Sequence, residues 1–122
     1  MALTPMATPS TVDFARKVLA ARHTRYQAFP DIGFADAEWG ILLDLFVAAE
    51  EGRPAYLSNL VVASGVPKTT ALRAIDDLIN ADHVVREQDP TDGRRIQAYL
   101  TPEVHARLYQ LIRRMMAHFG LL

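Results

Sequence analysis

Two short stretches hold the side chains with most to offer a ligand. Lys68-Thr69-Thr70, with Arg73 one turn on, stand where a helix should begin, and Asp92-Gly93-Arg94-Arg95 stand in a turn. A lysine is a point charge for phosphate, threonine hydroxyls meet phosphates or base edges, and arginine grips guanine through two parallel hydrogen bonds. An arginine at a hairpin tip can enter a narrow minor groove. This chemistry recognises a polyanion; it makes and breaks no bonds. No catalytic set competes with it. His23, His83, His105 and His118 lack a histidine partner at i,i+4 and a thiolate beside them, so each reads as a surface or interfacial histidine and no metal site is expected. Ser64-Gly65 lacks the preceding strand and flanking glycine of a nucleophile elbow. The glycines never cluster into a phosphate loop. Neither enzymatic activity nor a cofactor is expected.

Composition narrows the class further. The chain has 122 residues, enough for one domain and too few for two independent cores. Half of them are apolar, which rules out a disordered tail, and the lack of cysteine excludes disulfide scaffolds, thiolate zinc sites and thiol redox chemistry. The N-terminal MALTPMATPS has neither basic n-region nor apolar run, and no stretch is long and apolar enough to span a bilayer, so a soluble cytoplasmic protein without membrane contact is expected. Thirteen basic side chains face fourteen acidic ones. The total hides a pattern: +3 over residues 1–30, −5 over 31–66 and −1 over 67–95.

The elements that must position the two stretches follow from periodicity. Residues 1–9 read as a disordered leader and 10–122 as one domain. Ser10 or Thr11 can cap a first helix, on which Val12, Ala15, Val18 and Leu19 recur at helical steps until Phe29-Pro30 stops it. A second helix is predicted over 36–51, capped by Asp36, with Trp39, Leu42, Leu43, Phe46 and Val47 as its apolar stripe and Gly52 after its end. Residues 53–56 are extended, with room for a short extra strand. Ser58 should cap a short helix that Gly65 ends. Pro67 should then open a helix reaching about Ala81, burying Ala71, Ile75, Leu78 and Ile79. His83–Glu87 and Arg95–Leu100 alternate like strands around Asp89-Pro90-Thr91-Asp92-Gly93, a hairpin. Thr101-Pro102-Glu103 opens a last helix, striped by Val104, Leu108, Leu111, Ile112, Met115 and Phe119.

A short helix, the turn Ser64-Gly65-Val66 and a second helix make a helix-turn-helix, and a hairpin straight after it makes the winged variant. The expected fold is mostly α with a small β-hairpin wing, in the order α-α-α-α-β-β-α. The wording resembles the MarR (multiple antibiotic resistance regulator) family of winged-helix transcription factors. Ser58-Asn59-Leu60, Gly65-Val66, the run Leu72 to Leu78, Leu100-Thr101-Pro102-Glu103 and above all Asp89-Pro90-Thr91-Asp92-Gly93-Arg94-Arg95 carry that resemblance. It implies a homodimer joined through the terminal helices (10–30 and 102–120), each subunit presenting the recognition helix and wing of 36–101 to double-stranded DNA. It also implies that Arg94 is the wing arginine and that Asp92 orients it by an ion pair. Thr91 and Gly93 stand where family members often carry cations, and Ala35 where a capping threonine is common.

The DNA-binding set is thus Lys68, Thr69, Thr70, Arg73, Arg94 and Arg95. Two members have competing roles: Asp77 lies four residues beyond Arg73 and can neutralise it, and Arg95 can face the other side of its strand. Val18, Leu19, Leu108, Leu111, Ile112, Met115 and Phe119 are the expected dimerisation residues, unless the last helix packs within its own chain. The resemblance also implies a small aromatic effector in a cleft, where Tyr26, Phe29, Phe34 and Trp39 can line it; their other reading is ordinary core. Function reads as a sequence-specific regulator, repressing by occupying a pseudo-palindromic operator. The alternative is a winged helix used for protein–protein interaction without DNA, which the −1 charge over 67–95 favours.

Overall fold

The structure, a computed structural model, describes residues 11–30 and 36–122, without the side chains of Phe14 and Asp36. The elements run α1 (Thr11–Ala28), α2 (Asp36–Glu50), α3 (Leu57–Ala63), α4 (Lys68–Asn80), β1 (Val84–Gln88), β2 (Ile96–Leu100) and α5 (Pro102–His118). This is the expected order of a winged helix-turn-helix. The leader 1–9, Ser10, Ala35 and the capping side chain of Asp36 lie outside the described residues.

Two compact units divide the chain: residues 33–108, and residues 1–32 with 109–122. In the first, α2 packs on α4 and β2, α3 on α4 and β2, and α4 on β1. Ile41, Leu42, Leu45, Ile75 and Leu78 are its fully buried centre. The face α2 buries is not the one its stripe predicted. Ala37, Ile41, Leu42, Leu45 and Ala48 are inside, Val47 is exposed, and Trp39, Leu43 and Phe46 are half-buried. A helix apolar on nearly every side gives periodicity little to choose from, so tertiary contacts decide. On α4 the buried set is Ala71, Ala74, Ile75 and Leu78, with Ile79 half-buried.

Two helix starts differ from expectation. Tyr56, not Ser58, is the N-cap of α3 and makes no side-chain cap bond. Pro67 is the N-cap of α4 rather than its first helical residue. α5 opens at Pro102 behind Thr101 as expected; Thr101 gives its carbonyl to the His105 amide at 2.9 Å, while its hydroxyl donates to the Asp82 carbonyl at 3.3 Å. Gly65 ends α3 at φ 71° as its type predicted, but Asp82, just beyond α4, holds φ 61° with a side chain attached. The expected extra strand reduces to one bridge, Tyr56 opposite Gln97, beside an Ala98 amide to Ala55 carbonyl bond of 2.9 Å. β1 and β2 pair antiparallel from Val84–Leu100 to Gln88–Ile96.

The second unit joins α1 to the end of α5. The Thr24 hydroxyl donates to the Ala20 carbonyl at 2.9 Å, leaving its oxygen to accept from His118 Nε2, also at 2.9 Å. His23 is exposed, as a surface reading expects, but two other histidines depart from it. His83 is buried, and His105 stacks on Phe46 at 5.0 Å with Glu50 3.5 Å away. Among the described residues, no helix is long and apolar enough to cross a membrane.

Candidate nucleic-acid interface

Starting α4 at Lys68 has a consequence for its first turn. The Ala71 amide is the first to bond back, to the Pro67 carbonyl at 3.0 Å, and no side chain caps the helix. The amides of Lys68, Thr69 and Thr70 are therefore left at the positive end of the helix dipole. All three side chains are exposed, and so is Arg73. Neither Lys68 nor Arg73 is ion-paired with any described residue. Asp77, the expected competitor for Arg73, instead acts on Glu38: burial first, then repulsion from Asp77, pushes the Glu38 carboxyl above its usual range, with His83 opposing.

The wing is built on two aspartates. Asp92 Oδ1 accepts from the Arg94 amide at 3.1 Å and from Arg94 Nε at 3.2 Å, and Arg94 leans a second nitrogen 3.4 Å from Oδ2. The Arg94 side chain is still 92% exposed, so this pair orients the guanidinium without covering it. Asp89 faces inward. Its Oδ1 accepts from the Thr91 amide and the Thr91 hydroxyl, both at 2.8 Å, and Arg95 lies 3.0 Å from Oδ2. The Thr91 amide, with help from its hydroxyl, the Arg95 charge and Tyr56, holds the Asp89 carboxyl down at about 2. Arg95, its side chain half exposed, is thereby engaged by partners within the protein, with its guanidinium 4.4 Å from the centre of the Tyr56 ring. Its expected DNA contact is not favoured by this geometry.

Lys68 and Arg94 border one cavity of about 440 Å3, walled by Leu57, Val61, Leu72 and Ile96 between α3, the start of α4 and the wing. Helix start and wing tip thus share one face, with cations at its two sides. Tyr56 and the inward role of Asp89 were missed from sequence. Asp89-Pro90-Thr91 is turn wording that points to Asp89; nothing near Tyr56 announces a partner 39 positions further on.

The other expected sets are distributed differently. Leu108 and Leu111 are fully buried within one chain and have no surface left for a second. Val18 and Leu19 are exposed, at 44% and 62%, while Ile112, Met115 and Phe119 are half-buried. Of the effector set, Phe29 is fully buried, Tyr26 is exposed beside Arg22 and Arg25, Trp39 is half-buried and belongs to the other unit, and Phe34 lies outside the described residues.

No protein-family model matches the sequence, and no curated protein does. Solved structures do. RV1404 from Mycobacterium tuberculosis aligns at 21% identity and TM-score 0.72, over 98% of this chain and 79% of that one. NadR in complex with 4-hydroxyphenylacetate aligns at 17% identity and TM-score 0.63, over 98% and 82%. A MarR-family transcriptional regulator from Silicibacter pomeroyi aligns at 24% identity and TM-score 0.56, over 87% and 68%. The helix order, the two-stranded wing and these superpositions together give the chain the winged helix-turn-helix fold of the MarR-family transcriptional regulators.

Proposed function

We propose that the chain is a transcriptional regulator that binds double-stranded DNA in a sequence-specific way as a homodimer, and that it represses by occupying its operator. One observation carries the reading: the uncapped start of α4, with Lys68, Thr69, Thr70 and Arg73 exposed and the two cations unpaired among the described residues, borders the same cavity as the 92% exposed Arg94. In the major groove, Arg73 reads a base edge while Thr69, Thr70 and Lys68 meet phosphates or neighbouring edges. Arg94, oriented by Asp92, enters the minor groove beside it. A two-fold dimer places the half-sites about 10 bp apart or a multiple of it. The exposed Val18 and Leu19 give the dimer its apolar contact, with Ile112 and Met115 on α5 and Phe119 just beyond its end next to solvent. A small aromatic effector, the class found in NadR, would act on this occupancy, with Tyr26 the exposed member of the expected cleft.

The unit spanning 33–108 carries twelve acidic and seven basic side chains. Non-specific grip on DNA comes from neutralised phosphates, so it should be weak here and specific binding should depend on few contacts. The same imbalance favours the second reading, a winged helix that docks on a protein. A mobility-shift titration against the upstream region of its own gene at low salt, followed by selection of bound sequences from a random pool, separates the two. Recovery of a pseudo-palindrome supports the regulator. Absence of any salt-dependent DNA affinity, with Arg73→Ala and Arg94→Ala both silent, would remove it in favour of the protein-docking reading.

A further inference from the structure

The segment in front of α3 meets the wing through very little backbone: one bridge at Tyr56–Gln97 and one bond from the Ala98 amide to Ala55. The Tyr56 side chain adds what the backbone lacks. Its ring lies under the Arg95 guanidinium at 4.4 Å, and the same guanidinium reaches Asp89 at 3.0 Å, whose side chain is only 3% exposed. Arg95 therefore has an aromatic ring on the flat face of its guanidinium and a carboxylate in ion-pair contact, a combination that suits a planar cation better than the compact ammonium of a lysine. The backbone of Arg95 also closes the turn. Its amide donates to the Asp92 carbonyl and its carbonyl accepts from the Asp89 amide, both at 3.0 Å. Arg94, exposed and aimed outward, is the adjacent residue.

We propose that Tyr56 and Arg95 are positioning residues, a latch that ties the start of the helix-turn-helix to the wing and sets the direction in which Arg94 is presented. Drawing Arg95 away to a phosphate would leave the buried Asp89 without its counter-charge, so the latch and a direct contact exclude one another. The function of the latch rests on the DNA-binding reading; its existence does not, and the test keeps them apart.

Hydrogen exchange on the DNA-free protein reads the latch alone. Tyr56→Ala and Arg95→Met should each speed exchange at the Asp89 and Arg95 amides by about tenfold relative to the amides of α4, whereas Tyr56→Phe, which keeps the ring, should change it less than Tyr56→Ala does. Unaltered exchange in Arg95→Met, the variant least able to disturb the fold of α3, would overturn the latch. DNA titrations then read its purpose. Arg94→Ala should cost the wild type several-fold more affinity than it costs the Arg95→Met background, while the Arg73→Ala penalty stays equal in both. Equal Arg94→Ala penalties, with a salt slope lowered by about one in Arg95→Met alone, would make Arg95 a phosphate contact and overturn the positioning role. No DNA affinity in the wild type, with accelerated exchange in the variants, would defeat the regulator reading and leave the latch standing.

Discussion

Arg95 stands 3.0 Å from Asp89, the acid buried and the arginine half in solvent. Because the Thr91 amide, chiefly, lowers the Asp89 carboxyl from 3.8 to about 2, folding favours its charged form. The linked stability is complete above pH 3.8 and is lost as pH falls through about 2. Asp89→Asn should lower the urea midpoint by a constant amount from pH 5 to 8, and the gap should close between pH 4 and 2. Paired urea melts across that range measure it; a gap already closing at pH 6 would assign the shift to another group.

Arg73 makes no ion pair with Asp77, so the two residues should behave independently toward DNA. Arg73→Ala should cost about 1–3 kcal/mol of specific affinity and relax preference at one base pair. Asp77→Asn should leave affinity equal or slightly higher, since it only removes a like-signed charge near phosphate. Titrations of both variants on one duplex decide this, and a loss in Asp77→Asn as large as in Arg73→Ala would contradict it.

Two left-handed positions call for opposite substitutions. Gly65 has φ 71° and open space where a Cβ would stand, so Gly65→Ala costs conformational strain of about 1 kcal/mol and no clash. Asp82 holds φ 61° with a side chain, so Asp82→Gly should gain up to about 1 kcal/mol while the backbone carbonyl still receives the Thr101 hydroxyl. Thermal melts of the two variants should move in opposite directions.

Gly93 also has room for a side chain, and its φ is not left-handed. Gly93→Lys should leave the melting temperature within about 2 °C and steepen the salt dependence of DNA binding by about 0.9 in slope, one added phosphate contact. Titrations at four salt concentrations provide the slope.

Burial separates two leucines once grouped together. Leu111→Ala should cost about 2–5 kcal/mol of stability, as a fully buried leucine does. Leu19→Asp sits at 62% exposure and should scarcely affect the fold of a single chain, but it should shift sedimentation toward monomer. A dimer that survives Leu19→Asp unchanged would move the interface off this part of α1.

Much of the fold was legible in the chain itself because its signals are local. Gly65 stops α3, the Asp89-to-Gly93 wording bends the hairpin, and the spacing of Ala71, Ile75 and Leu78 sets the inner face of α4. The placement of Lys68, Thr69, Thr70 and Arg73 at a helix start, and of Arg94 at a turn tip, was legible for the same reason, since both places are defined by their own sequence. Where signals were not local, the sequence was silent or misleading. α2 is apolar nearly all round, so only the packing of α4 and β2 on it selects Ile41, Leu45 and Ala48 for the core. Leu108 and Leu111 share one stripe with Met115 and Phe119, and three-dimensional packing alone decides which of them remain near solvent. Arg94 and Arg95 are neighbours of the same type, and their fates diverge because one meets a half-exposed Asp92 while the other is caught between the buried Asp89 and a ring 39 residues earlier. A residue's type and spacing decide what it can bind; which partner reaches it first is decided by the chain that folds back upon it.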